Sequence, residues 1–237
     1  MNKFTYSDIT VYNSVYKYID SNMYIIIRNN CALVVDPHKD EAAEELFREH
    51  AVSDITILLT HEHSDHISGI HWLQSGYKSS LICTENCADY ISDIRNTRPI
   101  LMTFILEQRD MENGTNVLEE FNREYISCSY IADKSFSGNL CMDWNGYSLE
   151  FTEIKGHSRG SCIINLDNRL VFTGDSLLKD YPVITRFPGG NTKKYKNETL
   201  PFLNGYLRDD MFILSGHGAP FFKKEIMVGG EINVEFK

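Results

Sequence analysis

Apolar runs of strand length recur along the chain, separated by turn residues and by stretches with a helical period. Residues 23–27 and 31–36 read as two strands joined around Asn29-Asn30, a pair that suits a tight reversal. Residues 40–49 place Ala43, Leu46 and Phe47 on one side of a short helix. Residues 55–60 are nearly continuously apolar, the pattern of a strand buried on both faces. That strand runs into a histidine-rich segment, after which a helix is predicted over 66–74 and a further strand over 80–84. Residues 85–130 are mostly helical in pattern and carry two apolar triplets, Ile100-Leu101-Met102 and Phe104-Ile105-Leu106. The second half is richer in strands. Asn145-Gly146 predicts a hairpin between 139–144 and 147–154, and Asp167-Asn168 joins 162–166 to 169–173. A helix over 193–203 and a buried strand over 212–214 complete the pattern. Alternating strands and helices indicate the α/β class.

With 237 residues and 42% hydrophobic composition, the chain can bury a sizeable core, and a single domain over 1–237 is expected, with 85–130 as a helical insertion within it. Lysine and arginine number 23 against 33 acidic residues, a formal charge of -10. Such a balance argues against nucleic-acid binding, which rests on clustered cations. No 18-residue apolar stretch exists, so no membrane association is expected. Residues 1–9 have no signal-like apolar core, which predicts a cytoplasmic protein. The six cysteines are scattered, without the paired spacing of a zinc ribbon or a disulfide scaffold.

Chemistry concentrates in Thr60-His61-Glu62-His63-Ser64-Asp65-His66. Three imidazoles and a carboxylate crowded directly after a buried strand fit a divalent metal, which accepts neutral imidazole nitrogen and carboxylate oxygen at about 2.0–2.2 Å. Three later positions share one context, a strand, then glycine, then a ligand-type residue: His157 after Gly156, Asp175 after Gly174, and His217 after Gly216. Glycine permits a sharp turn or a close backbone approach at such strand ends.

The ordered set His61, His63, Asp65, His66, His157, Asp175 and His217 resembles the metallo-β-lactamase-fold hydrolase superfamily, and the likeness runs from Asp36 to His217. The resemblance implies a four-layer αβ/βα sandwich with its metals at one edge between two sheets. It implies that His61, His63 and His157 take one ion, that Asp65, His66 and His217 take a second, and that Asp175 bridges them. Asp36 matches an aspartate that supports the first histidine loop. True β-lactamases of the superfamily lack the bridging aspartate. The string Phe172-Thr173-Gly174-Asp175-Ser176-Leu177 followed by Phe187-Pro188-Gly189-Gly190 is similar to the hydroxyacylglutathione hydrolase (glyoxalase II)-like branch. The chain departs from that branch in three places. Val183-Ile184-Thr185-Arg186 stands where Gly-Arg-Thr-Asp is usual, Arg159 stands where proline is usual, and 20 residues follow His217 where glyoxalase II has a helical glutathione-holding domain.

By this resemblance the expected activity is hydrolysis of a small-molecule thiolester, ester or lactone by a hydroxide held between two divalent ions, with Asp65 orienting the nucleophile. Zinc is the first expectation for the metal, with iron or manganese as alternatives. Two other activities share the pattern: a mononuclear-iron persulfide dioxygenase-like oxidoreductase and a small-molecule phosphodiesterase. Arg159, Arg186 and Lys193 are expected at the mouth of the site, where a cation holds a substrate carboxylate or phosphate. The apolar run 100–106 is open to three readings: a lid over the site, core, or a dimer contact.

Overall fold

Seven strands form a first sheet in chain order: β1 (Asn2–Tyr6), β2 (Ile9–Val15), β3 (Asn22–Arg28), β4 (Cys31–Val35), β5 (Asp54–Leu58), β6 (Lys78–Thr84) and β7 (Lys134–Phe136). All residues from 1 to 237 are described by the computed structural model. The first four strands are antiparallel and the last four parallel, so direction changes at β4. The connectors dictate this. Asn29 and Asn30 both adopt positive φ (51° and 61°) and make a two-residue reversal. Each parallel pair instead needs a crossover: α1 (Glu41–Glu49) between β4 and β5, then α2 (Ser64–Ile67) and α3 (Ile70–Gly76) between β5 and β6. Asp40 caps α1 by accepting from the Ala42 amide at 2.7 Å.

The second sheet has the order β13-β12-β11-β10-β9-β8, built from β8 (Asn139–Trp144), β9 (Tyr147–Glu153), β10 (Cys162–Leu166), β11 (Leu170–Gly174), β12 (Phe212–Ser215) and β13 (Phe221–Phe222). The pairs Asn145-Gly146 and Asp167-Asn168 all have positive φ, and each closes a hairpin. Only β11 and β12 pair in parallel, and the helical stretch 192–206 provides their crossover.

Three apolar clusters sort the molecule into α, β, β and α layers. In β4, Leu33 and Val35 point between the sheets, where Phe151, Ile164 and Phe172 of the second sheet meet them, while Ala32 and Val34 point outward to Phe47 and Leu73 of the helices. In the second sheet Ile163 and Val171 face outward to Leu203, which belongs to α8 (Leu200–Tyr206). The period-2 alternation within single strands therefore accounts for the four layers.

Two departures from the sequence pattern have physical causes. The helix expected over 66–74 is broken into α2 and α3, because Gly69 abuts the backbone of Pro37 and His38. A Cβ there would meet backbone atoms at 2.7 Å, and the Gly69 amide donates to the Pro37 carbonyl at 2.7 Å. Strands β1 and β2 have only a short apolar signal, since β1 is an edge strand with mostly wet faces and β2 alternates Ile9 and Val11 with Thr10 and Tyr12 before the buried polar pair Asn13 and Ser14.

Residues 85–130 contribute to two different places. α4 (Glu85–Ile91) buries Cys87 and Ile91 in the helical layer outside the first sheet. α5 (Ile100–Asn113) and α6 (Val117–Glu124) pair with each other and form a separate cluster, with Met102, Leu106 and Phe121 around Tyr16 and Tyr18. Lys17 ties this pair down through Glu120 and Glu124, at 2.6 and 3.1 Å.

Candidate metal centre

Strand direction brings the ligand-type residues together. Strands β9, β11 and β12 run the same way, so their C-terminal ends lie at one edge of the second sheet, followed by His157, Asp175 and His217 respectively. At the matching edge of the first sheet, β5 leads into His61 and His63, and the first turn of α2 carries Asp65 and His66. An antiparallel bridge between Ser21 and His217 joins the two edges, and the Asn22 side chain donates to the Ser215 carbonyl at 2.9 Å. Gly216 lets the backbone approach closely: a Cβ there would lie 2.1 Å from Asp175 Oδ1.

The donor atoms fall into two groups, each spanning no more than 4.8 Å: His61, His63, His157 and Asp175, and then Asp65, His66 and His217. His157 Nε2 lies 3.0 Å from His63 Nδ1 and 3.7 Å from Asp175 Oδ2. His217 Nε2 lies 3.4 Å from both Asp65 Oδ2 and Asp175 Oδ2, and His66 Nε2 lies 3.2 Å from Asp65 Oδ2. Asp175 thus reaches both groups. A third combination, Asp36 with His61 and His66, is equally tight, but the Asp36 carboxylate already accepts three hydrogen bonds. His61 Nε2, His66 Nε2 and Asp175 Oδ1 are buried and have no hydrogen-bond partner. Three orphaned polar atoms within one small cluster are costly unless something of positive charge and open coordination satisfies them, and a divalent cation does so. The donor set fits a metal.

Surrounding hydrogen bonds fix which nitrogen of each ring faces inward. His157 donates from Nδ1 to the Ile184 carbonyl at 2.7 Å, which turns Nε2 toward the cluster. Asp36 organises two more rings. Its carboxylate accepts from the Thr60 amide at 2.7 Å, from Thr60 Oγ1 at 2.6 Å and from His66 Nδ1 at 3.1 Å. The Thr60 hydroxyl proton is thereby committed to Asp36, so Oγ1 accepts from His61 Nδ1 at 3.0 Å. Nε2 of both His61 and His66 is left for the cluster.

Glu62, between two of the histidines, has a structural task that its place in the motif does not announce. Its buried carboxylate accepts from Ser158 Oγ at 2.9 Å, from the Arg159 amide at 3.1 Å and from the Gly160 amide at 3.1 Å. It clamps the His157 loop onto the first histidine loop.

Electrostatically the metal-free site is divided. Burial, reinforced by the neighbouring His63, pushes His157 down to about 4, and burial together with His66 and His63 holds His61 well below the usual imidazole range. Burial also opposes charge on His217 and His66, yet Asp175 and Asp65 overcome it, raising His217 to about 10 and His66 well above its ordinary value. The same pairs hold Asp65 and Asp175 well below the carboxylate range in spite of burial. Neutral imidazoles therefore gather in one donor group and ion-paired ones in the other.

The basic residues expected at the mouth lie elsewhere. His63, Asp65, Asp175 and His217 line a cavity of about 850 Å³, and the cations on its wall are Arg95 and Arg98, from the 85–130 segment. Arg159 lines a separate polar cleft of about 370 Å³ with Lys155 and Lys194, while Arg186 and Lys193 are exposed and line neither. Closeness in sequence to a ligand loop does not set side-chain direction: the Arg159 amide is held inward by Glu62 and its side chain runs out over Gly189. The run 100–106 divides between core and cavity wall. Met102 and Leu106 are core, while Ile100, Leu101, Phe104 and Ile105 line the cavity above the cluster.

No helix of the structure is long and apolar enough to cross a membrane. The family profile of the Metallo-beta-lactamase superfamily matches residues 18–86. The chain is 25% identical over 208 residues to the probable metallo-hydrolase YqgX of Bacillus subtilis (strain 168), covering 84% of this chain and 86% of that one. It is 25% identical over 144 residues to the hydroxyacylglutathione hydrolase of Glaesserella parasuis serovar 5 (strain SH0165), spanning 58% of this chain and 60% of that enzyme's length. The crystal structure of BLEG-1 B3 metallo-beta-lactamase superposes with a TM-score of 0.69 at 20% identity, over 92% of this chain and 96% of that one. Two sheets between helical layers, with a histidine and aspartate cluster at their shared edge, give the chain the metallo-β-lactamase fold, and its residues 18–86 match the profile of that superfamily.

Proposed function

We propose that the protein is a binuclear metal-dependent hydrolase of a small-molecule thiolester, ester or lactone. The observation that carries this is the pair of donor groups sharing Asp175, with three buried polar atoms that make no hydrogen bond within the protein. His61, His63 and His157 would hold one ion, Asp65, His66 and His217 the other, and Asp175 both. Zinc suits a set of imidazoles and carboxylates, and iron and manganese suit it too. Two divalent ions so held would supply a nucleophile from water at neutral pH and a Lewis acid for a carbonyl oxygen.

The protein's own groups do the positioning. Asp65 directs Oδ2 toward His66 and His217, which leaves Oδ1 to accept a hydrogen bond from an attacking water and so aim its lone pair. The apolar walls above the cluster limit water to the floor of the cavity, which strengthens polar interactions there. A thiolate or stabilised alkoxide leaves without strong acid assistance, which suits a site whose imidazoles would be committed to metal. The likeness to a probable metallo-hydrolase supports hydrolysis, and the likeness to a hydroxyacylglutathione hydrolase supports a thiolester.

The test is metal analysis of the purified protein, followed by a panel of thiolesters, lactones and phosphodiesters. Two ions per chain with turnover of thiolesters or lactones is the expected result, and Asp65→Ala should abolish turnover while the fold persists. One iron per chain with oxygen consumption on a persulfide would replace this reading with the oxidoreductase. Turnover confined to phosphodiesters would replace it with the phosphodiesterase.

A further inference from the structure

The cavity over the metal centre combines a polar floor with apolar walls. Its volume of about 850 Å³ lies in the range of small-molecule sites, about 300–1,000 Å³. One wall comes from α5, through Leu101, Phe104 and Ile105, and another from the loop that follows Asp175, through Tyr181, Ile184 and Phe187. The first two turns of α5 are apolar on two sides. Met102 and Leu106 pack into the cluster around Tyr16 and Tyr18, while Phe104 is 58% exposed and Ile100 71% exposed toward the cavity. An anchored helix that holds aromatic and aliphatic side chains against water, beside a reactive centre, needs an apolar partner. Arg95 and Arg98 also line this cavity. Arg95 is tied to Asp93, with Nε 2.9 Å from Oδ2, whereas Arg98 has no ion-pair partner within 4 Å.

The geometry points to a substrate with an apolar acyl chain that lies along α5 and an anionic group that pairs with Arg98. This rests on the hydrolase reading and narrows it: the cleaved bond sits at the polar floor, and affinity comes from the chain. A small polar acyl group would leave the walls of α5 wet and gain nothing from them.

The experiment uses the purified full chain loaded with zinc and a series of thiolesters of mercaptopropionate, running from acetyl to decanoyl, with the matching neutral amides of the thiol. kcat/KM should rise about fourfold for each methylene added, until the cavity is full. Phe104→Asp should flatten that rise, and Arg98→Gln should lower kcat/KM more for the anionic series than for the neutral one. A second readout is independent of turnover: displacement of a fluorescent apolar probe from the EDTA-treated protein by decanoate or by acetate. Decanoate should displace the probe from the parent and not from Phe104→Asp. If decanoate displaces the probe but no thiolester is cleaved, the hydrolase reading fails and the assignment of the cavity stands. If thiolesters are cleaved without dependence on chain length and decanoate leaves the probe in place, the assignment is wrong and the hydrolase reading stands. The assignment is equally wrong if the protein sediments as a dimer that Phe104→Asp dissociates while decanoate has no effect, because the α5 face is then a contact between copies.

Discussion

Replacing Glu62 by alanine tests whether the two ligand loops are held together from within. Its carboxylate is the only hydrogen-bond acceptor for the amides of Arg159 and Gly160, and it shares the Ser158 hydroxyl with Ser161 Oγ. In Glu62→Ala the hydroxyl keeps Ser161, at 2.8 Å, and the two amides lose every partner. The Gly160 amide is buried, and leaving it unsatisfied costs about 1–3 kcal/mol; the partly buried Arg159 amide adds to this, so the variant should lose at least about 1–3 kcal/mol. Glu62→Gln keeps one carbonyl oxygen for the amides and exchanges charged for neutral acceptance, a loss of about 1–2 kcal/mol. The measurement is urea denaturation of EDTA-treated protein, so that the contribution of bound metal is absent from the comparison. The order parent, glutamine, alanine is the expected result, and the alanine variant should also bind metal more weakly because the His157 loop is loosened. A loss within about 0.5 kcal/mol in Glu62→Ala, the range of ordinary surface changes, would refute the clamp.

Asp36→Asn keeps a residue that tolerates the positive φ of 53° but weakens the acceptor behind His61 and His66. Chelator competition should show metal affinity lower by about 10–100-fold, and unchanged affinity would mean those rings orient themselves. In the metal-free protein, burial disfavours charge on His217 but Asp175 and Asp65 raise it from an ordinary 6.5 to about 10. A raised imidazole contributes its stability in full below the unfolded value and loses it as pH climbs through the folded one. Thermal denaturation in EDTA should therefore fall from about pH 6.5 to about pH 10, and a rise across that window would contradict the ion pairing. Gly216→Ala would drive a Cβ to 2.1 Å from Asp175 Oδ1, so Asp175 must move. Metal analysis should then find fewer ions per chain than in the parent, and equal content would show that the loop adjusts freely.

How much of this was legible in the sequence depends on whether the information is local. Hairpins at Asn29-Asn30, Asn145-Gly146 and Asp167-Asn168 were readable because positive φ is a property of the residues in the turn. The α/β class and the two-sided burial of residues 55–60 were readable from the apolar runs, and the ligand-type residues from a cluster too dense for any purpose but shared coordination, whereas the four layers followed only from the family resemblance of that ligand set. Tertiary structure alone decided the rest. His63 and His157 are 94 residues apart and meet at 3.0 Å only because β5 and β9 end at facing edges of two sheets. Glu62 reads as a spacer in the motif until the 158–160 backbone is seen folded onto it. Arg159 and Arg98 are both arginines near apolar segments in the sequence, and only the course of the backbone turns one outward and sets the other on the cavity wall. A chain's pattern records which face of an element is buried. What lies against that face is set by partners tens of residues away, and the chemistry of the site is made there.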